Sequence, residues 1–294
     1  MALIPHSICS VAPMTGDVQG ESMLRPRWRR VRRLLLASLA TLPSVLLTMC
    51  VVFLVLTALG QDGFPWWTVV PVLGAAAPMA AVLWWLRRRG VLEPSAWLAS
   101  ALLTAGGQIL LGVIPGFGIA VNSSSGAGKA MAGVLFALSW AVAATSCLSA
   151  HRAHRVLLTP LVPELGATAL RIPLAARFAI TTPALISARV EIGSDGIEWS
   201  ARHHRGRSAG PRVDAAIPFS QLRHVTPVML PSEPALRPWL TLADGNVLYA
   251  QPGPAVLLAT SAGEWMIPVH DAGLFAALVN RRRAWWDQRQ TRRG

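Results

Sequence analysis

The residues of this chain that could do chemistry are few, and none forms a complete catalytic set. Ser123-Ser124-Ser125-Gly126-Ala127-Gly128-Lys129-Ala130 ends like a phosphate-binding loop. Such a loop needs a glycine where Ser123 stands and a hydroxyl residue where Ala130 stands, the first to cradle phosphate and the second to hold magnesium. His151 and His154 lie three apart on one helix side, but neither cysteine nor carboxylate accompanies them as metal ligands. His203 and His204 are adjacent in a basic segment and splay apart. Cys9, Cys50 and Cys147 are too few and too scattered for a disulfide framework. No spacing points to paired carboxylates or to a Ser/His/Asp arrangement. The expectation is a non-enzymatic protein with no catalytic residue, no cofactor and no metal.

Four apolar stretches dominate the first half, at about 34–59, 66–86, 96–121 and 130–150, each without one Asp, Glu, Lys or Arg. A helix rises about 1.5 Å per residue, so roughly 20 apolar residues cross a bilayer core about 30 Å thick. Arg25, Arg27, Arg29, Arg30, Arg32 and Arg33 precede the first stretch, Arg87–Arg89 follow the second, and Arg152 and Arg155 follow the fourth. The other two connections, Gln61–Pro65 and Asn122–Lys129, hold one cation, Lys129. Short cation-rich loops stay on the cytoplasmic side, which predicts a multi-pass plasma (inner) membrane protein with both termini cytoplasmic. Trp66, Trp67, Trp84 and Trp85 stand where an interfacial aromatic belt would place them.

A net charge of +13 raises nucleic acid as a partner. Many of the arginines flank the apolar stretches, however, where orientation and lipid headgroups account for them, and the reading is no nucleic acid. Acidic residues before position 160 number only Asp17, Glu21, Asp62 and Glu93. The chain thus divides into a membrane half and a half of more water-soluble composition. Residues 1–33 read as a disordered basic segment, 34–155 as the four-span domain, and 156–183 as a proline-rich connector.

Within the spans, Pro43 predicts a kink. Gln108 is the one strongly polar side chain in the middle of any span, and an interhelical hydrogen bond is its modest role. Gly112-x-x-x-Gly116 lets two helices approach closely, inside one bundle or in a homo-oligomer. Coupled carriers keep ionisable residues in the membrane, and these spans have none. A small channel or transporter subunit with a regulatory cytoplasmic domain is therefore the alternative reading rather than the leading one.

After the connector the period changes. Runs at 184–192 and 197–201 flank Asp195-Gly196, a hairpin signal, and further strand material lies at 213–228, 239–242, 247–250, 256–260 and 265–269. The stretch 202–212 reads as a loop or hairpin extension. Asp271 can cap a helix carrying Phe275, Leu278, Val279 and Trp286. The fold class is α+β: a four-helix transmembrane bundle followed by a small antiparallel β-barrel at 184–290, capped by a helix, with 291–294 as a basic tail.

That outline is similar to a pleckstrin-homology (PH)-like domain. Asp195-Gly196, Ile217-Pro218, Pro238-Trp239, Gly253-Pro254-Ala255, Gly263-Glu264-Trp265 and Val269-His270-Asp271-Ala272 follow one another in an order that resembles actinobacterial integral membrane proteins of a domain-of-unknown-function family. Several spans followed by a PH-like domain are what the resemblance implies, and it brings no biochemical activity with it. The predicted role is binding at the inner membrane surface, to membrane lipids or to a membrane or cytoplasmic protein partner. Arg202, Arg205, Arg207 and Arg212 in the hairpin, with Arg281, Arg282 and Arg283 near the tail, are the expected contacts to anionic lipid or partner. Trp239, Trp265 and Trp285 are either core or partner contacts.

Overall fold

The computed structural model describes residues 4–6, 18–59, 66–88, 90–124, 126–180, 185–205, 208–233 and 237–291. The turn expected at 60–65 and Arg207 lie outside them. Two compact units divide the chain, one containing Arg25–Pro160 and the other Leu161–Gly294.

The first unit is helical. Among the described residues, four helices are long and apolar enough to cross a membrane: Ser22–Leu59, Trp66–Arg88, Pro94–Ser123 and Gly126–Leu158. The segment expected to be disordered is helical from Val18, in α1 (Val18–Leu36). Its arginines hide an apolar stripe at helical spacing, Trp28, Val31 and Leu35, all buried. Trp28 Nε1 donates to Pro5 O at 3.1 Å and Arg32 Nε to Ile4 O at 3.3 Å, so residues 4–6 are held against that helix.

Two of the four helices are interrupted by a π turn two residues before a proline. The first comprises α1, the π turn Ala37–Thr41 and α2 (Leu42–Leu59), with Pro43 behind the turn. The second helix is α3 (Val70–Arg88), continuing a 3₁₀ turn at Trp66–Val69. The third comprises α4 (Trp97–Gln108), the π turn Ile109–Val113 and α5 (Ile114–Ser123), with Pro115 behind it. The fourth is α6 (Gly126–Leu158). Proline cannot donate a backbone hydrogen bond, so a carbonyl of the preceding turn loses its partner. In the π register of the first turn, Leu42 N–H bonds Ala37 O, and the carbonyl of Ser38 faces Pro43. Ser146 Oγ on α6 supplies the missing donor at 2.8 Å, and Ser38 Oγ returns a 2.8 Å bond to Ser146 O. Both serines are fully buried.

This reciprocal pair should couple measurably. Ser38→Ala and Ser146→Ala are each expected to lower stability by about 1 kcal/mol, and the double variant by less than their sum. Thermal unfolding of the four proteins of the cycle checks it; strict additivity would show that the two bonds act independently.

Leu46, Cys50 and Phe53 of α2, Ala75 of α3, Ala105, Ile109, Val113 and Ala120 of the third helix, and Ala132 and Ala143 of α6 form the core of the bundle. Small residues at this seam let the backbones approach closely, which is how helices gain packing where lipid offers no hydrophobic drive.

The second unit is built of antiparallel sheets and a closing helix. β1 (Ile172–Ala175), β3 (Leu185–Ile192), β4 (Gly196–Arg205) and β5 (Ser208–Pro218) make one sheet in the order β1-β3-β4-β5. β6 (Leu222–Leu230), β9 (Gly253–Thr260) and β10 (Gly263–Pro268) make a second, in the order β10-β9-β6. β2 (Phe178–Ala179), β7 (Arg237–Thr241) and β8 (Val247–Ala250) make a third, in the order β2-β8-β7. The expected run 213–228 is in fact two strands, divided by the turn at residues 219–221, where Gln221 N bonds Pro218 O. The proline-rich connector contains β1 and β2 as well as a 3₁₀ turn at Pro163–Ala167. Ala176 bridges Val269, so residues 172–179 touch all three sheets in turn. Helix α7 (Ala272–Thr291) starts where Asp271 Oδ1 accepts from Leu274 N at 2.9 Å. Phe275, Leu278 and Val279 form its buried stripe.

Candidate binding surface of the strand unit

Residues opposite each other on neighbouring antiparallel strands point to the same face. The register of β3, β4 and β5 therefore writes three rows across one face of the sheet: Glu191–Glu198–Ala216, Arg189–Ser200–Asp214, and Ser187–Arg202–Arg212. A groove of about 330 Å³ runs over the first two rows and reaches Arg212 of the third.

In the first two rows charge is answered locally. Arg171 reaches Glu191 at 3.8 Å and Glu198 at 3.4 Å, which relieves two carboxylates set directly opposite. Arg189 pairs with Glu191. Arg212 Nε meets Asp214 Oδ1 at 2.5 Å, both side chains being about half exposed. The third row is different: Arg202 and Arg212 are direct cross-strand partners, a destabilising arrangement for like charges. Arg202 forms no ion pair among the described residues, and its Nε is buried without a hydrogen-bond partner. Beside this row, Ser187 Oγ and His204 Nε2 are 2.9 Å apart. Arg205 ends β4, opposite Ser208. The stretch 202–212 thus belongs largely to a long β4–β5 hairpin.

His203 is held elsewhere than its neighbour, with Nδ1 at 2.5 Å from Asp244 Oδ2, in the turn between β7 and β8. Asn246 Nδ2 donates to the same oxygen at 2.9 Å. The pair ties the first sheet to the third. Among the described residues no three His, Cys, Asp or Glu side chains are grouped to hold a metal ion.

The arginines of α7 do not form one surface cluster. Arg281 Nη2 lies 3.7 Å from Glu164, and Arg283 Nη1 donates to Arg223 O at 2.6 Å. Arg282, expected at the surface, is fully buried. It falls on the stripe of Phe275, Leu278 and Val279, and its guanidinium is enclosed by carbonyls. Nε donates to Gly166 O at 2.7 Å, Nη1 to Gly193 O at 2.5 Å, and Nη2 to Leu170 O at 2.8 Å and Leu165 O at 3.5 Å. Burial pushes its pKa down to about 9, opposed by the Asp195 carboxylate. Only glycine fits at 166, because a Cβ there would stand 2.3 Å from Leu278 O.

A second carbonyl-holding cation, Arg177, has no motif to announce it. It donates to Pro252 O at 2.7 Å, Gln251 O at 2.9 Å and Pro254 O at 3.4 Å. Of the three tryptophans, Trp285 is buried, Trp239 packs near Phe178, and Trp265 is half exposed beside Trp199.

In the helical unit, Gln108 is fully buried and its Nε2 donates to Pro43 O of the first helix at 2.9 Å. Gly112 faces Ala75, Pro71 and Cys50, and Gly116 faces Phe53 and Pro71, so both glycines serve packing within this bundle.

No protein-family model matches the chain, and neither a curated protein nor a solved structure matches it.

Proposed function

We propose that this protein is a non-enzymatic, multi-pass protein of the bacterial plasma membrane, with both termini cytoplasmic. Its carboxy-terminal unit is then a PH-like module that binds anionic lipid at the inner membrane surface. The arginine-rich connections at alternate helix ends support this orientation. Antiparallel sheets closed by α7, with the ordered Asp-Gly, Ile-Pro and Gly-Pro-Ala steps, support a PH-like barrel and kinship with the actinobacterial family of unknown function. The observation that carries the binding role is the Arg202–Arg212 pair, two cations set directly opposite each other, of which Arg212 is paired with Asp214 of the neighbouring row. A bridging phosphate would relieve that repulsion.

Each cation close to an anionic surface contributes about 1 kcal/mol, so removing both should weaken attachment by about 2 kcal/mol, roughly 30-fold. The full chain, reconstituted in nanodiscs with and without anionic lipid, provides the test. Amide exchange over β4 and β5 should slow only with anionic lipid, the protection fading with salt and with Arg202→Ala/Arg212→Ala. Exchange that is identical in both bilayers at low salt would overturn the lipid reading in favour of a protein partner, sought by cross-linking in native membranes.

A further inference from the structure

A groove of about 410 Å³ lies at the end of the bundle remote from the arginine-rich connections, between the second and third helices. Trp67 forms one wall, and Pro115, Gly118 and Ile119 form the apolar floor. Asn122 and Ser123 stand at its polar end. Its volume falls within the range of small-molecule sites, roughly 300–1,000 Å³.

Three observations say what fills it. Leu111, Pro115, Gly118 and Asn122 follow one another at four, three and four residues, one stripe of the third helix. On the same two helices Val70, Leu111 and Ile114 are each 41% exposed or more, so with these helices as membrane spans the groove faces hydrocarbon rather than water. A Cβ built on Gly118 would meet nothing within 4 Å, so the space above this glycine is unfilled by the described residues. Polarity then changes along the groove. Ser123 Oγ is engaged with Ile119 O at 2.7 Å, while the amide of exposed Asn122 offers donor and acceptor together. Trp67 lies at the level where indoles meet headgroups.

We infer that this groove is a binding site for one acyl chain of a membrane lipid, with the lipid's glycerol–ester region at Asn122. The chain lies over Gly118 against Pro115 and Ile119, beside the Trp67 indole. A helix from a second copy fits less well, because the groove covers only the last turns of the third helix and large exposed side chains, Leu110, Leu111 and Ile114, follow it inward. The inference rests on the reading of these helices as membrane spans.

The test uses the full chain in a phospholipid bilayer containing a phospholipid with a diazirine midway along one acyl chain. Labelling after illumination is mapped along the chain. Residues 115–119 and Trp67 should be labelled in a saturable manner, while Leu102, Leu110 and Trp140 are labelled in simple proportion to the probe. Gly118→Trp fills the groove and should lower labelling of its walls roughly tenfold, to the level of those reference sites. Gly106→Trp, at another glycine of the third helix with nothing within 4 Å, should leave it unchanged. Proportional labelling everywhere, in a chain that resists carbonate extraction, would overturn the groove and leave the spans standing. A chain released by carbonate would overturn the membrane reading and the groove with it.

Discussion

Arg282→Met should destabilise the strand unit by about 3–5 kcal/mol, the loss expected when one side of a buried charged contact is removed. The carbonyls of Leu165, Gly166, Leu170 and Gly193 come from a 3₁₀ turn, the segment after it and a hairpin turn, and Arg282 holds all of them to α7. Methionine restores the volume and removes every donor. Each buried carbonyl left without a partner costs about 1–3 kcal/mol, partly offset because a cation no longer needs to be desolvated. Arg282→Lys keeps the charge, but an ammonium is a point donor and cannot serve acceptors spread around a planar fork, so about half of the loss should remain. Against a typical total of about 5–15 kcal/mol, Arg282→Met would leave the unit marginal. Amide exchange of the full chain, read at Ile192–Ile197 and Leu165–Leu170, reports the loss locally. A deficit under about 1 kcal/mol for Arg282→Met would mean that the carbonyls find other partners.

The same residue fixes a pH expectation. Its folded-state pKa of about 9 lies below that of the unfolded chain, so above pH 9 the unfolded chain holds more protons and the folded state gains as pH rises. Below that value both states are protonated. The deficit of Arg282→Met should therefore be constant through neutral pH and widen only in alkali.

How legible these features were depends on the range of the interactions behind them. The four apolar stretches show in the sequence because crossing a bilayer demands length and uniform composition, which local residues alone supply. Asp195-Gly196 and Asp271 are legible for the same reason, as turn and cap chemistry is confined to a few neighbours. The π turns at Ala37–Thr41 and Ile109–Val113 are not: Pro43 announces a break, but its form depends on Ser146, more than 100 residues away. β1 and β2 are short and lie in a proline-rich connector, and β2 gains its bonds from β8, far along the chain. Arg282 carries a readable signal, since it continues the 3–4 spacing from Leu278 and Val279. Two flanking arginines mask it, and the acceptors that make its burial tolerable lie more than 80 residues upstream.

Gly74→Ala is expected to disrupt the helical unit more than any other single methyl addition. A Cβ at position 74 would stand 2.2 Å from Leu111 O and 2.9 Å from its carbonyl carbon, both backbone atoms of the third helix. No side chain can rotate away, so α3 and the third helix must separate. Overpacking of this kind costs about 3 kcal/mol, or roughly 10 °C in melting temperature. The absence of a side chain at Gly74 is what lets the backbone of α3 approach the Leu111 carbonyl, the kind of close helix contact in which weak C–H···O bonds recur. Separation would also loosen Gly107 from Pro78 and Gly112 from Ala75 and Pro71, which lie along the same seam. Gly106→Ala supplies the control, since a methyl group there meets nothing within 4 Å and alanine favours the helix. Thermal unfolding of the reconstituted chain should place Gly106→Ala at or slightly above the parent and Gly74→Ala well below it. Equal melting temperatures for the two variants would show that α3 and the third helix are not held at this distance by the contact between Gly74 and the Leu111 carbonyl.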